Sequence, residues 1–246
     1  MSALVLPTRR DEAFRYADLD SLARAWPVSH EAIVVAAGAA ESRAIVADGA
    51  DGAVDVRHFD ILVEPGGRID LHALSTGGRY VRIAVEVTLG QGAQFHLGAA
   101  QLGNGEQTLE LVTEVRHAAP DALSRQVVRS VLAERATGTY LGKVAVARGA
   151  DGTDAGQSVR AMLLDRTAAA NARPELEIYA DDVKCAHGCA VGELDPAGLF
   201  YLESRGLPPG EAKRLLLQAF IAEAFVGAHD EAALTEAALA RLGDLV

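Results

Sequence analysis

From about residue 41 to 194 the chain is cut into short strands by clusters of Gly, Asp and Asn. Val54-Asp55-Val56, Ile61-Leu62-Val63, Val81-Arg82-Ile83-Ala84-Val85-Glu86-Val87 and Leu109-Glu110-Leu111-Val112 alternate apolar with polar residues or form brief apolar runs. Asp48-Gly49-Ala50-Asp51-Gly52 and Gly103-Asn104-Gly105 separate them, as turn residues separate strands. No helical periodicity is sustained between about 41 and 120, so the fold is mainly β. Gly66-Gly67-Arg68-Ile69-Asp70-Leu71 and Gly92-Ala93-Gln94-Phe95-His96-Leu97 share one pattern, glycine, two residues, an apolar residue, one residue, leucine, at an offset of 26. Units of that size suit the coils of a parallel β-helix, each burying its apolar face on its neighbours. A sandwich or barrel of short strands satisfies the same pattern. The scarcity of aromatics (Phe 6, Tyr 5, Trp 1 in 246 residues) favours a bore filled by small aliphatic side chains.

Flanking zones differ. Residues 1–40 form an N-terminal helical and linker segment: Asp11 is placed to cap a short helix bearing Phe14, Leu19, Leu22 and Trp26, and Pro27 ends it. Ala32 to Ala40 reads as strand or linker. Residues 195–246 form a C-terminal helical domain. Asp195-Pro196 supplies a cap and a first-turn proline, and Gly206 the stop of the first helix. A second helix opens at Pro208-Pro209-Gly210-Glu211 and runs to about Val226. Its Leu215, Leu216, Leu217, Phe220, Ile221, Ala224 and Phe225 cover more than one stripe, so it is buried on two sides or offered to a partner. Asp230 starts the third.

A net charge of −11 without a basic run argues against nucleic-acid binding. No stretch approaches the ~18 apolar residues of a membrane span. The start MSALVLPTRRDEAF places its basic pair after the apolar residues, the reverse of a signal peptide. The expected setting is cytoplasmic.

Several motifs imitate chemistry. Gly138-Thr139-Tyr140-Leu141-Gly142-Lys143-Val144 has three residues between its glycines where a phosphate loop has four, and Val144 where that loop has Ser or Thr. It reads as turn plus strand. Gly90-Gln91-Gly92 lacks the third glycine of a dinucleotide fingerprint, and no Ser sits in a nucleophile elbow. Adjacent Asp181 and Asp182 would point to opposite faces of a strand and cannot flank one glycosidic bond, which weighs against a β-helix carbohydrate-active enzyme.

The most concentrated chemistry is Val183-Lys184-Cys185-Ala186-His187-Gly188-Cys189-Ala190-Val191. On a strand, Cys185, His187 and Cys189 share a face. Cys185 and His187, about 6.6 Å apart, can share a ligand, whereas Cys185 and Cys189 stand about 13 Å apart unless the chain turns at Gly188. A buried row with a hydrogen-bonded histidine comes first on spacing alone; soft N and S donors also suit zinc or iron. A stand-alone metal carrier using Cys185, His187 and Cys189 is the further alternative.

These residues carry a resemblance. The run from Pro174-Glu175-Leu176-Glu177-Ile178-Tyr179 through Ala180-Asp181-Asp182-Val183-Lys184-Cys185-Ala186-His187-Gly188 closely resembles a signature of the SufB/SufD family of iron–sulfur cluster assembly proteins, on its SufD side. His117-Ala118-Ala119-Pro120, Ser124-Arg125-Gln126, Thr153-Asp154, Gln157 and Leu163-Leu164 match the family's preceding coils in order. Leu199-Phe200-Tyr201-Leu202-Glu203-Ser204-Arg205-Gly206 resembles the start of its C-terminal helices. Leu6-Pro7-Thr8-Arg9-Arg10-Asp11-Glu12-Ala13-Phe14-Arg15-Tyr16 is similar to its opening motif.

The resemblance implies a right-handed parallel β-helix with a C-terminal helical domain, in a non-catalytic scaffold subunit that works with SufB and the ATPase SufC. It implies that His187 and Cys185 handle iron or a nascent Fe–S cluster at the SufB interface, with no cofactor held tightly by the lone chain. It further implies that the C-terminal helices, through Phe200, Leu216, Phe220, Ile221 and Phe225, dock SufC; a homodimer is the arrangement open to the isolated chain. Two departures stand out. The opening motif lies almost at residue 1, and Cys189 stands where relatives have a small non-ligating residue. Two cysteines and one histidine fall short of the about four thiolates a cluster usually takes, so the remaining ligands are expected from another chain.

Overall fold

A computed structural model describes residues 5–245. Residues 1–4, where the signal-peptide argument begins, and residue 246 lie outside it. Among the described residues the core is a parallel β-helix of twelve strands: β1 (His30–Val35), β2 (Ala40–Ala47), β3 (Val54–Val63), β4 (Arg68–Ser75), β5 (Tyr80–Leu89), β6 (Gln94–Gly103), β7 (Thr108–His117), β8 (Leu123–Leu132), β9 (Thr137–Val146), β10 (Asp154–Leu163), β11 (Ala169–Ile178) and β12 (Lys184–Gly192). Odd strands pair in one sheet, β1-β3-β5-β7-β9-β11, and even strands in the other, β2 to β12. The 26-residue repeat is one such coil: Ile69 lies opposite Phe95 and Leu71 opposite Leu97.

Burial follows the pleat. Ile33, Phe59, Ile61, Ile83, Val85, Phe95, Leu97, Leu111, Val144 and Val159 point between the two sheets and form one continuous apolar core. The corners are rows of left-handed residues. Gly38, Gly66, Gly92, Asp121 and Gly152 stack at one corner with φ between 61° and 75°, and Gly52, Gly78, Gly105 and Glu134 at another. L side chains rarely adopt this conformation, and Asp tolerates it better than most, which explains the glycine punctuation and its lapse at Asp121.

The first coil begins at His30, two residues ahead of the stretch read as strand or linker, whose first residues Ala32–Val35 complete β1. Ahead of it, α1 (Leu19–Ala25) is capped by Asp18, whose carboxylate accepts from Ser21 N–H at 3.1 Å. The expected cap, Asp11, instead closes a turn by accepting from Thr8 N–H at 2.7 Å. Its short 3-10 turn at Glu12–Phe14 has no side-chain cap. The helix does stop just before Trp26-Pro27.

After the β-helix come α2 (Pro196–Ser204), α3 (Pro209–Ala222) and α4 (Glu231–Gly243). Asp195 caps α2, accepting from Ala197 N–H at 3.0 Å, and Gly206 follows it at φ 93°. The second helix ends at Ala222, short of Val226, and the chain turns before α4. Its excess apolarity is explained by packing. Leu217, Ile221, Ala224 and Phe225, with Leu234, Ala238 and Leu242 of α4, cover Leu74, Ala100, Leu102 and Val131 on the outer face of the even sheet. Among the described residues no helix is long and apolar enough to cross a membrane.

Candidate functional site

The signature from Pro174 to Gly188 lies in the last coil of the β-helix: the second half of β11, the turn after it, and the first half of β12. β11 pairs only with β9 and β12 only with β10, so both strands leave one edge unpaired. Pro174 fits there, because a proline inside a sheet is tolerated at an edge. Asp181 and Asp182 lie exposed in the turn, and Asp182 O accepts from Gly152 N–H.

Strand β12 runs straight through Gly188. Its register sets Cys185 opposite Ala155, His187 opposite Gln157 and Cys189 opposite Val159. All three partners face the bore, so Cys185, His187 and Cys189 face the space above the last filled layer. Cys185 packs on the edge of the core, while His187 and Cys189 are exposed. The straight strand keeps the two thiols about 13 Å apart, so they cannot chelate one ion. Both cysteines are free. Burial pushes the Cys185 thiol above its ordinary value, and Asp154 adds to this while the Ala155 amide and Arg125 oppose it. The thiol therefore stays protonated near neutrality.

Beneath His187 lies a polar column that the motif reading missed. Thr113 Oγ1 donates to Gln126 Oε1 at 2.8 Å, Tyr140 Oη donates to the same oxygen at 3.1 Å, and Gln157 Nε2 donates to Tyr140 Oη at 3.1 Å. Gln126 Nε2 and Gln157 Oε1 are buried without partners. Burial raises the Tyr140 phenol well above its ordinary range and keeps it a neutral hydroxyl. A Cβ at Gly142 would stand 2.1 Å from Tyr140 Oη. That glycine, half of the phosphate-loop imitation, makes room for a tyrosine. The signal available in sequence was spacing: Gln126, Gln157 and His187 occupy one row across β8, β10 and β12.

Around this column, His117 Nε2 sits 2.9 Å from Ser124 Oγ, and burial lowers the His117 pKa to about 4. Arg125 Nη2 pairs with Asp154 at 2.8 Å, and the hydrogen bond from Arg125 holds that carboxyl below its ordinary range. The rows beneath the last coil thus combine one ion pair, Arg125 with Asp154, with neutral His117 and Tyr140, whereas the row above them is open.

The helical residues divide. Ile221 and Phe225 are buried against the even sheet, so they hold the domain in place and present no surface. Phe220 is half-buried, with the Arg129 guanidinium 5.8 Å above its ring. Leu216 lies against Gly198 between α2 and α3. Phe200, 73 % exposed, and Tyr201, Leu215 and Val226 are the exposed large apolar side chains among the described residues of the helical region.

Residues 19–220 match the family described as "SUF system FeS cluster assembly, SufBD core domain". The chain is 30 % identical over 187 residues to the iron-sulfur cluster assembly protein SufD of Escherichia coli K12, covering 76 % of this chain and 44 % of that one. It is 36 % identical over 162 residues to the chloroplastic protein ABCI7 of Arabidopsis thaliana, covering 65 % and 34 %. It is 35 % identical over 121 residues to SufD of Bacillus subtilis 168, covering 49 % and 28 %. The chain spans less than half the length of these curated relatives. A shared core domain over most of the chain, with the signature lying in the open last coil, gives the assignment: the chain belongs to the SufB/SufD family of iron–sulfur cluster assembly proteins and is SufD-like.

Proposed function

We propose that this chain is a non-catalytic, cytoplasmic scaffold subunit of the SUF system, pairing with a SufB-type subunit through its last coil and with a SufC-type ATPase through its C-terminal helices. The observation that carries this reading is strand β12, whose edge is unpaired and whose Cys185 and His187 side chains face a bore with no further coil above them. An unpaired strand edge is a template for a second chain. A second chain arriving there would supply the ligands that Cys185 and His187 lack, and iron or a nascent cluster would be cargo shared between the two. The edge is equally open to a second copy, which would allow the isolated subunit to form a homodimer.

SufC docking falls to Phe200, Leu216 and Phe220, since Ile221 and Phe225 are occupied. Movement of the ATPase would reach the β-helix through α3, which is tied to β8 by Arg129 and Glu223.

Co-expression with SufB-type and SufC-type partners, comparing the parent with His187→Ala, tests the reading. The expected result is an intact complex that assembles clusters poorly. Normal assembly by the variant overturns the role of His187, and failure of the parent to form a complex overturns the scaffold reading itself.

A further inference from the structure

At the opposite end of the β-helix, the outer face of the odd sheet carries a cluster of donors that the last coil does not use. β1, β3 and β5 run in parallel register, setting His30 opposite His58 and aligning Ala32, Asp60 and Glu86 in the next row on the same face. The pleat spaces such neighbours about 4.8 Å across strands and about 6.6 Å along them. Two imidazoles and two carboxylates therefore converge from three strands.

His30 Nδ1 lies 2.9 Å from Asp60 Oδ2. His58 Nε2 lies 3.2 Å from Asp60 Oδ1 and 3.2 Å from Glu86 Oε1. The two rings stack with centroids 3.7 Å apart and planes 17° from parallel. One donor atom each from His30, His58 and Asp60 falls within 4.8 Å of the other two.

Two features separate this cluster from an ordinary surface ion pair. His58 Nε2 is buried and makes no well-formed hydrogen bond, although two carboxylate oxygens stand within 3.2 Å. His30, His58 and Glu86 also line a cavity of about 270 Å³ together with Phe14, Leu22, Trp26 and Val85. Polar donors backed by an apolar wall are the setting in which metal sites exclude water and hold their ligands. Neighbouring ligand atoms of a tetrahedral ion with bonds of about 2.0–2.1 Å stand about 3.3 Å apart. The separations of 2.9 and 3.2 Å are close to that edge, and a turn of one stacked ring out of parallel brings both in-plane lone pairs onto one ion.

We propose that His30, His58 and Asp60, with Glu86 at the rim, form a site for a divalent first-row transition ion of the zinc or ferrous type. Two imidazoles with a carboxylate suit such ions, whereas Mg²⁺ and Ca²⁺ take all-oxygen sets and Cu(I) takes sulfur. The site contains no thiolate, and it stands or falls independently of Cys185 and His187.

Co²⁺ is the probe, added to the chelator-treated full chain in a background carrying Cys185→Ser, His187→Ala and Cys189→Ser. The expected result is one equivalent bound, with visible d–d bands of a four- or five-coordinate ion, no sulfur-to-metal charge-transfer band, and displacement by Zn²⁺. His58→Ala and Asp60→Asn should each weaken binding more than about 100-fold. His30→Gln, at a half-exposed side chain, guards against loss of fold and should weaken binding at an unchanged thermal midpoint. Absence of Co²⁺ binding in that background, or binding by all three variants as tight as that of the background itself, overturns the site.

Discussion

Arg129 Nη2 lies 2.8 Å from Glu223 Oε2, joining residues 94 positions apart. The guanidinium is fully buried between the even sheet and the C-terminal helices, where it also donates to Val128 O, Ser158 O and Ser158 Oγ. It is one polar pin in a largely apolar joint, the other being Arg241 of α4, which donates to Asn104 Oδ1 and Gln107 Oε1. Glu223→Leu leaves a buried cation with neutral acceptors only. Because Glu223 is half exposed, the pair is screened, and the expected loss is about 1–2 kcal/mol. Hydrogen exchange should localise the effect to α3 and the outer face of β8. Unchanged protection there would show that the apolar contacts alone hold the helices.

A second buried pair sits under the opening motif. Arg82 Nη1 is 2.9 Å from Glu110 Oε2, with both side chains almost fully buried. Tyr80 Oη donates to the same carboxylate oxygen, while Arg82 donates to Ala13 O at 2.7 Å and lies 4.2 Å above the Phe14 ring. Glu110→Gln strands the guanidinium, so the expected cost is roughly 3 kcal/mol in denaturant unfolding. The double variant Arg82→Met with Glu110→Leu removes both charges and should recover much of that loss. If the single and double variants are equally unstable, charge burial is not the cause.

His117 gives the chain a pH dependence of definite sign. Its folded pKa is about 4, against an ordinary 6.5. The unfolded chain therefore takes up the proton first as pH falls. The contribution of neutral His117 is complete above about pH 6.5, erodes between there and about 4, and levels off below. The span corresponds to about 3 kcal/mol. Burial lowers His58, His72 and His96 as well, so the parent slope is shared. His117→Gln should flatten the parent's loss of stability between pH 7 and 5 in urea titrations. A slope identical to the parent's would assign the effect to the other histidines.

The coil architecture was legible because a β-helix writes its period into its corners. Gly66 and Gly92 carry the left-handed turn and Ile69 and Phe95 the buried step, and all four recur at one offset. The same row continues through Asp121, where the glycine signal disappears although the backbone conformation does not. The N-terminal cap was misplaced because Asp11 and Asp18 have the same chemistry, and only the fold decides which faces a helix. The fate of α3 was open for a related reason. An all-round apolar helix is the same string whether its second face meets a partner or its own β-helix, and Ile221 and Phe225 meet the latter. The polar column was hidden because Gln126, Tyr140 and Gln157 are far apart in sequence and meet only when coils stack.

The edge of β12 makes opposite predictions for two adjacent residues. Lys184 N–H donates to Thr153 O, so Lys184 turns its backbone groups towards β10. By the alternation of a parallel ladder, Ala186, Gly188 and Ala190 do the same, and the N–H groups of Cys185, His187, Cys189 and Val191 point off the sheet. Proline removes one donor wherever it is placed, and at a free edge position nothing in the chain loses a partner. Val191→Pro should therefore leave the unfolding midpoint of the isolated chain nearly unchanged while weakening capture of a SufB-type partner by ~10-fold or more, from the loss of at least one edge hydrogen bond and of the strand's fit. Ala190→Pro removes a donor to β10 and should destabilise the isolated chain by about 3 kcal/mol. The pair is measured by denaturant unfolding of each variant and by titration against the immobilised partner. Full binding by Val191→Pro in a well-folded chain would move the interface away from this edge, and with it the shared site at Cys185 and His187.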